Sequence, residues 1–224
     1  MNTAPSQALT AAVRSSLRAA ADPSLAPGQQ AYMKSAMPFL GVRNPEVRRL
    51  TRAVVRGASA EALVATARAL WDGAEFREER YAATEILGRP VLAGDWSLAP
   101  LHEHIARTGA WWDHVDETAR RIADLHDAHP VETAALVRRW ASDESFWINR
   151  LAILSQLGRR ERTDVHLLTD VIGPHLGSRE FFLRKAIGWA LREYAKTDPD
   201  WVRAYVDATE MSPLSRREAL KRLG

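Results

Sequence analysis

Trp111-Trp112-Asp113-His114-Val115-Asp116 puts two adjacent indoles and two carboxylates into six residues. If the stretch opens a helix, each residue advances about 100°, so Trp112 and Asp116, four apart, lie one above the other. Trp111, Val115, Thr118, Ile122 and Leu125 then form an apolar stripe, with Trp112 and Asp116 beside it. A carboxylate under an aromatic ring at the rim of a core suits the stabilisation of a cation. The same residues also suit an ordinary helix start, with Asp113 near the positive end of the dipole and both indoles packed inward.

Outward from this stretch, nearly every segment carries the same helical periodicity. The pattern predicts helices over 6–20, 28–37, 45–57, 60–71, 76–88, 97–108, 111–128, 131–141, 144–157, 164–176, 179–196, 198–209 and 213–222. Stop signals separate them: Asp22-Pro23, Ala26-Pro27-Gly28, Gly41, Gly57, Gly73, His129-Pro130 and Thr197-Asp198-Pro199. Asp143, Ser178 and Ser212 are candidate N-caps, the last followed by Pro213 at a favoured first helical position. No alternating Val/Ile/Thr run argues for a strand. About a dozen short helices on short loops predict an all-α solenoid of stacked helical pairs, with a period of about 40 residues.

The 224 residues fit one domain spanning 1–224 with a sizeable core. Apolar residues make up 46% and charged residues 26%, the balance of a soluble globular chain. No apolar run approaches the roughly 20 residues of a membrane helix, and the first residues lack the order of a signal peptide. With no Cys there is no disulfide, thiolate nucleophile or Cys-based zinc site, and a cytoplasmic location is expected. Net charge is only +3, yet four lysines leave 27 of the 31 basic residues as Arg. Arg forks phosphate and stacks on flat rings, while a GC-rich genome also substitutes Arg for Lys on solvated faces.

The helix predicted over 179–196 carries Lys185, Trp189, Arg192 and Lys196 on one face. An indole among three cations is a poor core and a good surface for a polyanion, with the cations on phosphates and the ring on a sugar or base. A solvated basic face whose indole covers a neighbour is the plainer reading. Gly188 in mid-helix costs about 1 kcal/mol against Ala, which points to close packing or close approach of a ligand. In Trp147-Ile148-Asn149-Arg150-Leu151, Arg150 interrupts an apolar helix, either facing a groove or pairing with a carboxylate.

Several separated blocks, taken in order, resemble one family. They are Tyr32-Met33-Lys34, Pro38-Phe39-Leu40-Gly41, Trp111-Trp112-Asp113-His114-Val115-Asp116, Trp147 with Arg150, Phe181 through Lys196, and Pro213 through Ala219. Together they resemble the AlkD family of HEAT-like-repeat DNA glycosylases, from about Tyr32 to the end. The resemblance implies a C-shaped superhelical solenoid that clasps double-stranded DNA in a basic concave groove. It implies excision of positively charged N3- and N7-alkylpurines, such as 7-methylguanine and 3-methyladenine, without cofactor, metal or base flipping. Asp116 matches the family's catalytic carboxylate, Trp112 and Trp189 its flanking indoles, and Arg150 its nearby Arg. Tyr32 and Arg192 match residues that hold DNA, and Lys34, Lys185, Lys196 and Arg216 join them as candidate contacts. Two departures stand out. Gly158 occupies the place of a phosphate-binding Lys, which Arg159 or Arg160 would replace, and Arg43-Asn44 differ from the family's polar duplex-contacting pair. A monomer at the bacterial nucleoid, acting in base excision repair, is the corresponding expectation.

His102-Glu103-His104 puts its imidazoles on different helix faces, a poor metal site. No phosphate-cradling Gly-rich loop or nucleophile elbow is present. Lys185 and Lys34 are the candidates for a lyase nucleophile, but a hydrolase of single function is expected. A non-catalytic solenoid that binds DNA or protein is the alternative of a different class.

Overall fold

The computed structural model describes residues 3–223, and among these every regular element is helical. The thirteen α-helices are α1 (Thr3–Ala19), α2 (Ala26–Met33), α3 (Asn44–Val54), α4 (Ala60–Asp72), α5 (Arg77–Leu87), α6 (Ala99–Gly109), α7 (Trp112–Ala128), α8 (Pro130–Ala141), α9 (Phe146–Leu154), α10 (Val165–Ile172), α11 (Phe181–Tyr194), α12 (Pro199–Ala208) and α13 (Pro213–Leu220). Each predicted helix is present, most of them shorter by a few residues at one or both ends. Single 3-10 turns at Trp96–Leu98 and Gly173–His175 account for parts of two overestimated ends. Ser212 caps α13 as expected, its hydroxyl accepting from the Ser215 amide at 3.0 Å. Asp143 and Ser178 stand two residues ahead of their caps instead. Their side chains accept from the amides of Ser145 and Glu180 and shape the approach to α9 and α11.

The residues gather into two compact units that divide between Ala93 and Gly94. In the first, α1, α3, α4 and α5 pack together, and an unforeseen buried carboxylate fixes their main loop. Glu78, fully buried on α5, accepts from the amides of Leu40, Gly41 and Val42 at 2.9–3.1 Å. Three backbone donors that no strand or helix satisfies are thereby paired. Gly41 in this loop has φ +89°, and a Cβ there would lie 1.9 Å from the Asp22 carbonyl oxygen.

The second unit is built on a repeat. Asp116 of α7 meets Arg150 of α9, and Asp127, at the other end of α7, meets Arg159 just beyond α9. Arg150 in turn reaches the Phe182 carbonyl of α11. Chain order therefore advances in the same direction along α7, α9 and α11, which form a parallel row. Glu103 with Trp140, and Arg138 with Asp170, tie α6, α8 and α10 into a second row in the same way. The partners in these cross-links are 32 to 37 residues apart in sequence, somewhat tighter than the expected period. Apolar side chains fill the space between the rows, with Val115, Ile122, Val137, Ile148, Leu151, Leu168 and Ile187 all buried. Trp71 in the first unit and Trp140 in the second are core residues, and Trp96 and Trp201 pack on the edge of the second unit's core.

Candidate active site

The turn between α6 and α7 sets the geometry of the site. Ala110 holds a left-handed conformation (φ +41°), which reverses the chain and delivers Trp111 extended as the N-cap of α7. Trp111 then packs against Trp147 and Phe182, with ring centroids 5.7 and 5.5 Å away, and Trp147 and Phe182 lie 4.8 Å apart. Phe146 and the exposed Phe181 extend the cluster. Such ring pairs contribute about 0.5–1.5 kcal/mol each beyond their burial. Helices α7, α9 and α11 are thus pinned together at their N-terminal ends. Of the two adjacent indoles, Trp111 supplies the packing, and Trp112 stays half-buried at the core's edge, as the stripe predicts.

Next to this cluster Arg150 and Asp116 form a two-pronged ion pair, Nε to Oδ1 and Nη2 to Oδ2, both at 2.8 Å. The remaining arm, Nη1, donates to the Phe182 carbonyl at 2.6 Å. One side chain, only 4% exposed, thereby joins three helices. The fork matches a carboxylate in plane and spacing, which a Lys would not. Each Asp116 oxygen retains acceptor capacity after receiving one hydrogen bond. Burial pushes the Asp116 carboxyl above the usual value, and Arg150 pulls it part of the way back, by its hydrogen bonds and then its charge. Asp113, one turn earlier, adds a smaller upward push.

Trp189 is half-buried against the core on α11, in the same row. The cations around it are not the open face that the helical periodicity suggests. Lys185 and Arg192 both reach Glu218 of α13, at 3.0 and 2.6 Å, and Lys196 pairs with Glu193 at 2.6 Å. The acid comes from a different helix, so a reading of α11 alone misses it. Gly188 is explained by the same contact. A Cβ there would meet the Glu218 Cβ at 2.4 Å and the Ser215 carbonyl oxygen at 2.8 Å, so close helix packing is its reason. Arg216 turns back to Asp207 and the Val206 carbonyl.

The turn after α9 separates two candidates that the sequence could not. Arg159 is buried, donating to Asp127 at 3.1 Å and to Gln156 at 2.8 Å. Arg162 completes the tie to Asp127 at 2.5 Å. Gly158 and Arg160 both have positive φ, +83° and +52°, and the Arg160 side chain is exposed. Within the first unit, Tyr32 is 76% exposed, and Lys34, Arg43 and Asn44 also face solvent. Lys34 holds a left-handed conformation at the end of α2, and Arg43 is the N-cap of α3. His102 is buried in α6, and no group of residues with metal-ligand chemistry occurs among the described residues.

The sequence model of a family described as DNA alkylation repair enzyme matches residues 13–223. The chain belongs to that family. A solved structure from Enterococcus faecalis, described as a predicted DNA alkylation repair enzyme, is 30% identical with a TM-score of 0.79. The similarity covers 91% of this chain and 97% of that one. No curated protein is matched. For a DNA alkylation repair enzyme, a half-buried carboxylate oriented by an Arg and set beside an indole is the feature of greatest chemical interest. Sequence reading misses the Phe182 carbonyl, which helps to hold Arg150, and Glu218, which pairs with the cations of α11. Glu218 stood in view as the one acid in Arg216-Arg217-Glu218-Ala219, a local exception to a basic stretch.

Proposed function

We propose that this DNA alkylation repair enzyme is a glycosylase that hydrolyses the N-glycosidic bond of positively charged N3- and N7-alkylpurines in duplex DNA. The observation that carries the reading is the Asp116 carboxylate, held in one orientation by Arg150 and one turn from Trp112. An alkylated purine already carries positive charge, so it departs without a general acid. As the bond from C1′ to nitrogen breaks, its electron pair neutralises the purine and the deoxyribose becomes an oxocarbenium ion. Asp116 stabilises that cation and orients the water whose oxygen bonds to C1′, and a proton passes to solvent. The faces of Trp112 and Trp189 add cation–π stabilisation of about 0.5–2 kcal/mol each. Because the carboxylate addresses the sugar, the reaction needs no pocket for a flipped base, and bulky cationic adducts remain acceptable substrates.

In this reading the enzyme is a monofunctional hydrolase and a monomer. It binds duplex DNA as a HEAT-like repeat protein and acts in base excision repair at the nucleoid. Arg160, exposed where Arg159 is tied inward, takes the phosphate-holding role. Tyr32, Lys34, Arg43 and Asn44, all exposed, contact the duplex. A second reading, a DNA-binding protein without catalysis, draws on the same ion pair, since Asp116 and Arg150 would then serve only to join helices. Incubation with duplex containing 7-methylguanine separates the two. Release of free base, lost in Asp116→Asn with DNA binding retained, supports the glycosylase, and no release from the wild-type protein rejects it.

A further inference from the structure

We infer that Glu218 is a positioning residue that aims Arg192 at a DNA phosphate beside Trp189. The inference rests on the proposed glycosylase reading, in which Trp189 of α11 faces the lesion's deoxyribose. Arg192 gives Glu218 only one of its nitrogens: Nη1 donates both to the main-chain carbonyl of Glu218 at 2.9 Å and to its carboxylate at 2.6 Å. Its Nε and Nη2 have no hydrogen-bond partner among the described residues and are not sealed from solvent. That edge, with two parallel N–H groups, is the one that grips a phosphate bidentately. The other Glu218 oxygen holds Lys185 at 3.0 Å. Lys185 and Arg192 lie four residues before and three after Trp189, so one carboxylate fixes cations above and below the indole.

Two features show that the arrangement is built into the fold. Gly188 lets α13 approach so closely that the Glu218 Cβ lies where a side chain at 188 would begin. The Ser215 hydroxyl, one turn earlier on α13, donates to the Arg184 carbonyl at 3.0 Å and fixes the register of the two helices. Lys185 and Arg192 together hold the Glu218 carboxyl below its ordinary value despite burial, so it is ionised at neutral pH. The trio then carries one net positive charge, and a single phosphate neutralises it.

The test is a double-variant cycle of Glu218→Gln and Arg192→Lys. It is read by single-turnover release of 7-methylguanine at saturating protein and by the salt dependence of binding to undamaged duplex. Glu218→Gln frees a second positive charge, so the slope of log K against log salt steepens by about one. Base release from the saturated complex falls on the order of tenfold, because a freed Arg192 no longer sets the strand's register, and a misplaced reacting centre costs up to ~100-fold. Arg192→Lys lowers release similarly without steepening the slope. Adding Glu218→Gln to it lowers release no further. A merely structural Glu218 would lower thermal stability and leave slope and saturated rate unchanged, which overturns the inference, as does multiplicative loss in the double variant. Glu218→Asp, one methylene shorter, keeps the charge and replaces Glu218→Gln in the release-rate cycle if the latter does not fold: a lowered rate that Arg192→Lys masks supports the inference, and an unchanged rate overturns it. If the wild-type protein releases no base, the glycosylase reading fails, while the slope on undamaged duplex still reports on Glu218.

Discussion

Replacing either member of the Asp116–Arg150 pair should damage stability by about the same amount, and replacing both should cost no more than replacing one. Arg150→Met leaves a half-buried carboxylate and the Phe182 carbonyl without their donor. Asp116→Asn leaves a buried guanidinium facing an amide. Breaking one side of a buried pair costs about 3–5 kcal/mol, and the residual exposure of Asp116 places these at about 3 kcal/mol each. Independent losses would sum to about 6 kcal/mol, whereas the double variant, which buries no unpaired charge, should lose about 3, a coupling of about 3 kcal/mol. Urea unfolding of the four proteins measures it. Activity should behave differently. Asp116→Asn should lose about 10²–10³-fold in single-turnover base release, the cost of removing one preorganised charge-stabilising group, and the double variant should be no better. Arg150→Met keeps the carboxylate but removes the main opposition to burial, leaving only the smaller pull of Arg120, so Asp116 takes up a proton more readily and the rate profile moves to higher pH. Additive stability losses would refute the pairing argument. Wild-type rates in Asp116→Asn would refute the chemistry.

Three further outcomes follow from the packing. Gly188→Ala should destabilise by about 1–3 kcal/mol in denaturant, although helix propensity alone favours Ala by about 1, because the new Cβ meets α13 at 2.4 and 2.8 Å. An unchanged or higher midpoint would mean that α13 gives way freely. Gly41→Ala should cost more than about 2 kcal/mol, since φ +89° disfavours any side chain and the Cβ lands on the Asp22 carbonyl, and circular dichroism during urea titration reads the loss. Burial and then Arg121 lower His102 to about 4, and burial and then Arg159 lower His126 to about 4. Both histidines are therefore neutral in the folded protein while the unfolded chain protonates near 6.5, so stability is full above pH 6.5 and falls as pH drops toward 4. Each contributes about 3 kcal/mol over that window. Denaturation midpoints that stay level from pH 6.5 to 4.5 would contradict it, and His102→Leu should remove part of the slope.

What the sequence disclosed and what it concealed divide along one physical line. Helix existence follows from periodicity and punctuation within a short window, so α7 and α11 were legible with their stripes. The edge placement of Trp112 and Asp116 was legible for the same reason. Arg150 announced itself because an Arg inside Trp147-Ile148-Asn149-Arg150-Leu151 has to find an anion. Its partner lay 34 residues away, and only the resemblance grouped the two. The acid that pairs with α11 is hidden for the complementary reason: Lys185 and Arg192 advertise themselves on a wheel, whereas Glu218 belongs to a helix that the wheel does not contain. Arg159 and Arg160, adjacent in sequence, were indistinguishable until backbone conformation turned one to Asp127 and the other outward.

The repeat explains why these hidden partners fall where they do. Cross-links spaced by 32 to 37 residues join equivalent positions of successive helical pairs, so an acid on one helix meets the base one period later: Asp116 with Arg150, Asp127 with Arg159. Of these two homologous ties, one closes the far end of the row through Gln156 and Arg162, where a bent turn needs fixing. The other sits at the near end, one turn after the half-buried Trp112, with a carboxylate whose remaining lone pairs are not consumed by the fold. A single structural device, repeated, thus serves as a brace at one position and as an oriented anion at the other. Trp112 and Trp189 distinguish the second position from the first. Removing those rings should therefore leave the brace intact and slow the chemistry: Trp112→Ala together with Trp189→Ala should bind undamaged duplex yet release base about 5-fold to 10³-fold more slowly, the two cation–π contributions of about 1–4 kcal/mol in total being lost together. Unchanged release would show that the rings only pack, and that Asp116 differs from Asp127 in location alone.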